Sequence, residues 1–235
     1  MMRDVARSSF VVLSVALLGC GGGGGGGGGS VPTVQPNADG AETVTTLTVG
    51  LSESLQGNDG AALSSQVMSL GMSGPQLIAQ MPAGPTALIQ SAETVPGPNG
   101  GSVNCTATGC IYDQYSSSAG GTFVMDGSIL TSTAGEVTTV TVDLDITMAT
   151  SGIEQDWALS GSLDISPTLI DGTLINHGTG HISAQGQNIS YTYYEELTYN
   201  AVTLSGGQPT GGSIFAKWSY QVSGQTVGAQ ATINF

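Results

Sequence analysis

From Ser102 to the end of the chain, apolar and polar residues alternate with a period of two. The clearest stretch, Val140-Thr141-Val142-Asp143-Leu144-Asp145-Ile146-Thr147-Met148, alternates without error, and only a strand can then bury a single apolar face. Phe123, Met125 and Ile129 repeat the pattern, as do Trp157, Leu159, Leu163 and Ile165. A turn at Ala134-Gly135 sets Phe123 opposite Ile146, Met125 opposite Leu144 and Ile129 opposite Val140. A loop Ala149-Thr150-Ser151-Gly152 sets Leu144 opposite Trp157 and Val142 opposite Leu159. All apolar partners then share one face, an agreement that a one-residue slip destroys. Further strands are expected at Leu169 to Asn176, His181 to Ala184, Ile189 to Leu197, Ser213 to Val222 and Thr226 to Phe235, with turns at Gly186-Gln187 and across Gly206 to Gly212.

The period changes upstream. Val44, Leu47, Leu51 and Leu55 fall on one helical stripe, although their Thr and Val neighbours leave a strand open. Asp59 can cap a second helix in which Leu63, Val67 and Leu70 share a face and which Gly71, Gly74 and Pro75 end. A short helical turn through Gln76 to Gln80 and a run of prolines lead into the strands. The expected fold is all-β, an antiparallel meander of about eight or nine strands. It forms a sandwich or an open half-barrel, with the short helical N-terminal segment covering an open edge or filling the concave face. The expected units are a helical lead-in over 41–98 and a β domain over 99–235.

The first 40 residues belong to neither unit. Arg3 and Arg7 precede an apolar run from Phe10 to Leu18, which is under half the length of a membrane span. It ends in Leu17-Leu18-Gly19-Cys20, with nine glycines behind it, Gly21 to Gly29. This pattern resembles the lipobox of bacterial lipoproteins. The resemblance implies a signal peptide over 1–19, acylation of Cys20 and cleavage before it, and Gly21 in place of an Asp implies the outer membrane as destination. Residues 20–40, rich in Gly and Pro, then read as a disordered tether with an end-to-end distance of about 25 Å. Buried acyl chains contribute about 0.8 kcal/mol per CH₂, so the protein would be anchored to the membrane without spanning it.

Charge narrows the partners. The chain carries 17 acids against 3 bases. Cleavage before Cys20 removes Asp4, Arg3 and Arg7, which leaves 16 acids against Lys217 alone. Such a balance repels nucleic acid and anionic lipid surfaces, and it reads first as a solvated acidic surface. The remaining cysteines, Cys105 and Cys110, form an even pair that suggests a disulfide in an oxidising compartment, clipping the base of a tight hairpin.

No reaction motif stands out, and three groups of residues are weak candidates for chemistry. The registers above place Asp126 across from Asp143 and Asp145 across from Asp156, and a Ca²⁺ ion would relieve opposed carboxylates, although no calcium loop is present. His177 and His181 share a strand face about 13 Å apart, and a hairpin at Gly186-Gln187 would bring Glu196 near His177 as a further metal or acid/base group. Two exposed histidines beside a glycine bulge explain the same residues. Tyr191, Tyr193, Tyr194 and Tyr199, with Trp218 and Tyr220, could stack on a sugar or simply pack. The end of the chain, Val227-x-Ala229-x-Ala231-x-Ile233-x-Phe235, resembles the last strand of outer-membrane β-barrels. Such a barrel should also show outward apolar bands and aromatic girdles, and aromatics make up only 6% of this chain.

The sequence therefore points to an outer-membrane lipoprotein without catalysis, a binding or structural module of the envelope. Its expected partners are the membrane, through the lipid on Cys20, and a hydrophobic ligand in the concave face or another envelope protein. No cofactor is expected, Ca²⁺ apart. The contrasting classes are a Ca²⁺-dependent adhesin or carbohydrate binder, an envelope hydrolase and an integral barrel.

Overall fold

Ten strands follow one another in chain order across a single antiparallel sheet, from β1 to β10. The computed structural model describes residues 31–36, 38–56, 60–71, 94–117, 122–184 and 187–235. Two helices, α1 (Ala38–Gln56) and α2 (Gly60–Gly71), precede the strands. These are β1 (Thr94–Pro96), β2 (Ser102–Thr106), β3 (Gly109–Ser117), β4 (Thr122–Ala134), β5 (Val137–Thr150), β6 (Ile153–Ile165), β7 (Leu169–Ala184), β8 (Gln187–Ser205), β9 (Gln208–Val222) and β10 (Gln225–Asn234). The sheet does not close, because β1 and β10 are its two edges. Cys20, the glycine run, Asp59 and the turn expected at Gln76 to Gln80 lie outside the described residues.

Alternation decides which face is buried. Val140, Val142, Leu144 and Ile146 are buried, whereas Thr141, Asp143, Asp145 and Thr147 are exposed. The outward face is thus polar, the reverse of the apolar band that lipid demands of a membrane barrel. Ala229, Ala231 and Ile233 of the last strand likewise turn into the core. The helices lie in the hollow of the sheet. Val44 and Leu51 of α1 and Leu63 and Val67 of α2 join the same core as the strands, with α1 touching β9 and α2 touching both β2 to β4 and β7 to β8. A helix that meets strands from both arms of one sheet makes the fold a filled half-barrel. The stripe expected of α1 is present, and Thr48 adds a polar contact to it: its buried hydroxyl pairs with the Tyr199 hydroxyl at 2.9 Å.

The registers keep the expected faces and differ by two residues. The β4–β5 turn is Gly135-Glu136, which sets Phe123 opposite Met148, Met125 opposite Ile146 and Ile129 opposite Val142. The β5–β6 turn is Ser151-Gly152, which sets Ile146 opposite Trp157 and Leu144 opposite Leu159. A shift of two leaves every side chain on its face, so alternation alone is blind to it. The turn chemistry breaks the tie, since Gly135-Glu136 puts Gly135, at φ 66°, in the first turn position, where a hairpin turn that matches the strand twist needs a positive φ, whereas Ala134-Gly135 would put an alanine there. The same reason shortens the expected Gly206 to Gly212 turn. Gly206-Gly207, at φ 58° and 80°, closes the hairpin alone and β9 begins at Gln208. Strand β7 also runs unbroken through Gly178-Thr179-Gly180.

Both ends of the sheet are tied down. Cys105 and Cys110 face each other in the β2–β3 hairpin and form a buried disulfide. Replacing both by serine is expected to cost about 2 kcal/mol for so short a loop, read as a small fall in melting temperature. At the other end, residues expected to be tether lie against β10. Thr33 bridges Gln230 in parallel, the Val34 amide donates to the Gln230 carbonyl at 2.8 Å, and the Gln230 amide donates to the Pro32 carbonyl at 3.0 Å. An open edge strand invites pairing with other chains, and this segment occupies part of that edge.

Candidate binding site on the concave face

The inward residues of β4 to β10 stand in rows across the hollow, each row one register pair after another. One row runs Met125, Ile146, Trp157, Gly178, Tyr193 and Tyr220. The next runs Gly127, Leu144, Leu159, Asn176, Glu195, Trp218 and Ala229. The sheet end nearest the Ser151-Gly152 turn is aromatic. Tyr191, Tyr193, Trp218 and Tyr220 form a continuous wall on β8 and β9, with ring centroids 5.6 to 6.4 Å apart, and Phe123 meets Trp157 edge-on at 6.4 Å. The glycines of β7 make room between them: the Tyr191 ring lies over Gly180, where any Cβ would collide with it. The Gln155 amide reaches across this gap to the Tyr191 hydroxyl.

Glu195 is the unexpected member. It is 6% exposed, in the middle of a row whose one other polar side chain is its neighbour Asn176. The Asn176 amide Nδ2 donates to its Oε2 at 3.1 Å. Burial raises its pKa to about 8 from a model-compound value of 4.5, and the Asn176 hydrogen bond pulls weakly the other way. Its charge, with burial as the larger cause, also pushes the Tyr193 and Tyr220 hydroxyls upward. Three buried polar atoms on this face have no hydrogen-bond partner: Asn176 Oδ1 and Trp218 Nε1 on the two register partners of Glu195, and Trp157 Nε1 in the next row. Native cores rarely leave such groups unpaired, so the pair flanking Glu195 calls for an explanation. The sequence signal for Glu195 was its parity. Tyr191, Tyr193, Glu195, Leu197 and Tyr199 alternate with Thr192, Tyr194, Glu196 and Thr198, which places one of the two neighbouring acids inside.

Of the residues singled out from sequence, Tyr191, Tyr193, Tyr199, Trp218 and Tyr220 face inward, whereas the acidic and histidine candidates lie on the outward face. Asp126 faces Asp145 instead of Asp143, Asp143 faces Ser128, and Asp156 faces Thr147, because each turn is centred one residue later than expected and every cross-strand partner moves by two. Asp126 is engaged at the β3 bulge, where its Oδ1 accepts the Gln114 amide at 3.2 Å. His177 faces Tyr194, and Glu196 faces Ile175 and Lys217, so His177 and Glu196 are not register partners. Glu196 instead accepts hydrogen bonds from the Tyr194 hydroxyl at 2.9 Å and the Thr198 hydroxyl at 3.2 Å. Lys217 sits 5.1 Å above the Tyr194 ring on that same outer side. His181 faces Glu154 and pairs with the Ser190 hydroxyl at 3.0 Å. A cavity of about 390 Å³ opens here, lined by Glu154, Asp156, His181, Tyr191 and Gln221 among others. Among the described residues no three His, Cys, Asp or Glu side chains gather closely enough to hold a metal ion. Adding a chelator is therefore expected to leave the melting temperature unchanged, whereas a drop of several degrees would restore the cation reading of the acidic face.

No helix among the described residues is long and apolar enough to cross a membrane. No protein family, curated protein or solved structure matches this chain.

Proposed function

We propose that this is a lipoprotein held to the outer membrane through Cys20, and that its half-barrel is a non-catalytic binding module whose concave face takes a hydrophobic ligand with a polar end. The observation that carries the ligand is the buried Glu195 carboxyl, which has no basic partner and is flanked by unpartnered atoms at Asn176 and Trp218, with a third at Trp157 in the next row and an aromatic wall beside it. Ligand sites combine apolar and aromatic linings with a few polar groups that orient the ligand, and this row supplies both. The anchor rests on the lipobox resemblance at Leu17-Leu18-Gly19-Cys20 and on the glycine-rich chain behind it.

Two experiments test the two halves. Cys20→Ser is expected to release the protein from the membrane fraction of an expressing bacterium, and retention there would contradict the anchor. The ligand half has a built-in reporter, because the chain's only two tryptophans, Trp157 and Trp218, both lie in the site. Titrating the full chain with hexanol is expected to shift indole emission with a saturable midpoint. A flat response up to the solubility limit would contradict a hydrophobic site.

A further inference from the structure

We propose that the ligand carries an organic ammonium group, seated on the Glu195 carboxylate between the Asn176 amide and the rings of Tyr193, Trp218 and Tyr220. This inference rests on the reading of the concave face as a ligand site and names the chemistry that site selects.

A buried carboxylate must be paired or neutral. The fold offers Glu195 no basic partner, since Lys217 is the only Lys or Arg among the described residues and lies on the outer face over Tyr194. The sole hydrogen bond shown to the carboxylate comes from a neutral amide. Around it stand aromatic rings, the other side chains that favour a cation, through the negative faces of their π systems. Asn176 Oδ1 is an unpartnered acceptor beside the carboxylate, and an ammonium brings enough N–H donors to reach it and the carboxylate together. Trp218, the register partner of Glu195, keeps a free indole N–H that can donate to an oxygen of the same molecule. Long-range charge agrees, because a chain of formal net charge −14 gathers cations and repels anions.

The empty and filled sites then differ by an exchange of cations. Empty, Glu195 holds a proton at neutral pH, as its raised pKa requires. Filled, the ammonium takes the place of that proton, and one proton leaves per ligand bound. An aminated lipid headgroup and a small free amine share this chemistry.

The test uses the full chain in a non-ionic detergent, with hexylammonium, hexanol and hexanoate as probes and indole emission as the readout. Hexylammonium is expected to bind roughly ten- to a hundredfold more tightly than hexanol at pH 8, the range of a charge-assisted buried contact. Its affinity should fall by up to about tenfold per pH unit as the pH is lowered from 8 to 5.5, while that of hexanol stays constant. Glu195→Gln should abolish both the preference and the pH dependence and leave hexanol binding in place. Equal affinity for amine and alcohol, or tighter binding of hexanoate, overturns the ammonium assignment and leaves the hydrophobic site standing. Binding of none of the three overturns both. The pH series on the unaltered chain needs no variant, so a folding defect in Glu195→Gln does not shelter the proposal. Solvent extraction of the chain isolated from its own membrane separates the sources: an ethanolamine-type lipid marks a headgroup and a water-soluble amine marks a free ligand. A recovered ligand without a basic nitrogen overturns the assignment.

Discussion

Replacing Glu195 by Gln is expected to make the ligand-free protein more stable in alkaline solution and to leave it unchanged in acid. Burial lifts the folded-state pKa to about 8, above the unfolded value, so the fold prefers the neutral acid. The stability this preference provides is fully present below pH 4.5 and is lost as the pH rises through 8. Above that, the folded state holds an ionised carboxylate in an aromatic core with no cation on its face. Gln is neutral at every pH, keeps the acceptor oxygen that Asn176 uses, and adds an N–H for the unpartnered Asn176 Oδ1. The other carboxylates titrate in both proteins, so the difference between the two stability curves isolates Glu195. It should be near zero at pH 4.5 and roughly 2 to 4 kcal/mol in favour of Gln at pH 9. Denaturant unfolding across this range measures it, and a difference curve without slope would show that the carboxyl ionises as freely in the fold as in water.

The second large effect is expected at Gly161→Ala. Gly161 stands mid-strand in β6 with φ 132°, a backbone region that side chains rarely adopt. A Cβ there would lie 2.1 Å from the Thr173 carbonyl oxygen of β7 and 3.1 Å from the Leu174 Cα, both backbone atoms that cannot swing aside. Gly127 in β4 and Gly172 in β7 repeat this geometry, at φ 112° and 126°. Glycine kinks of this kind let a sheet curl tightly enough to wrap the helices, whereas a flat sheet of ten strands would leave its apolar face open. The Ala variant should lose about 3 kcal/mol or more, because strain at this φ adds to the displacement of a neighbouring strand. A melting temperature within a degree or two of the parent would mean that the sheet does not depend on this kink for its curvature.

The two effects trace what alternation in the sequence can and cannot show. Parity is robust: Val140, Val142, Leu144 and Ile146 announce a buried strand face, and a helical stripe at Val44 and Leu51 is distinct enough to be read through unfavourable Thr and Val neighbours. Register is fragile, because moving Met125 from Leu144 to Ile146 leaves every apolar side chain facing inward. Only turn geometry fixes it, and the glycines at 135, 152 and 206 carry that information. The acidic pairs built on those registers changed partners with them, which sets Asp126 opposite Asp145 and Asp156 opposite Thr147. For the histidines the missing fact was a hairpin closing between Ala184 and Gln187, which puts Tyr194 opposite His177. Glu195 was hidden for a different reason. Acids in a chain with 17 of them read as surface charge, and burial of one is visible only by following the alternation from Tyr191 to Tyr199 through a doubled Glu. The unpartnered indole and amide atoms depend on tertiary placement and leave no trace in the pattern.

The measurement closest to the central claim is a native mass spectrum of the full chain, taken gently from the membrane in which it was made. If the concave face is a ligand site, a single bound small molecule should remain with the folded protein and leave on denaturation. It should be lost or reduced in a Tyr193→Ala variant, which removes a ring from the wall beside Glu195. A bare chain that also gains no mass when hexanol or hexylammonium is added would contradict the account, and the aromatic row around Glu195 would then be core packing alone.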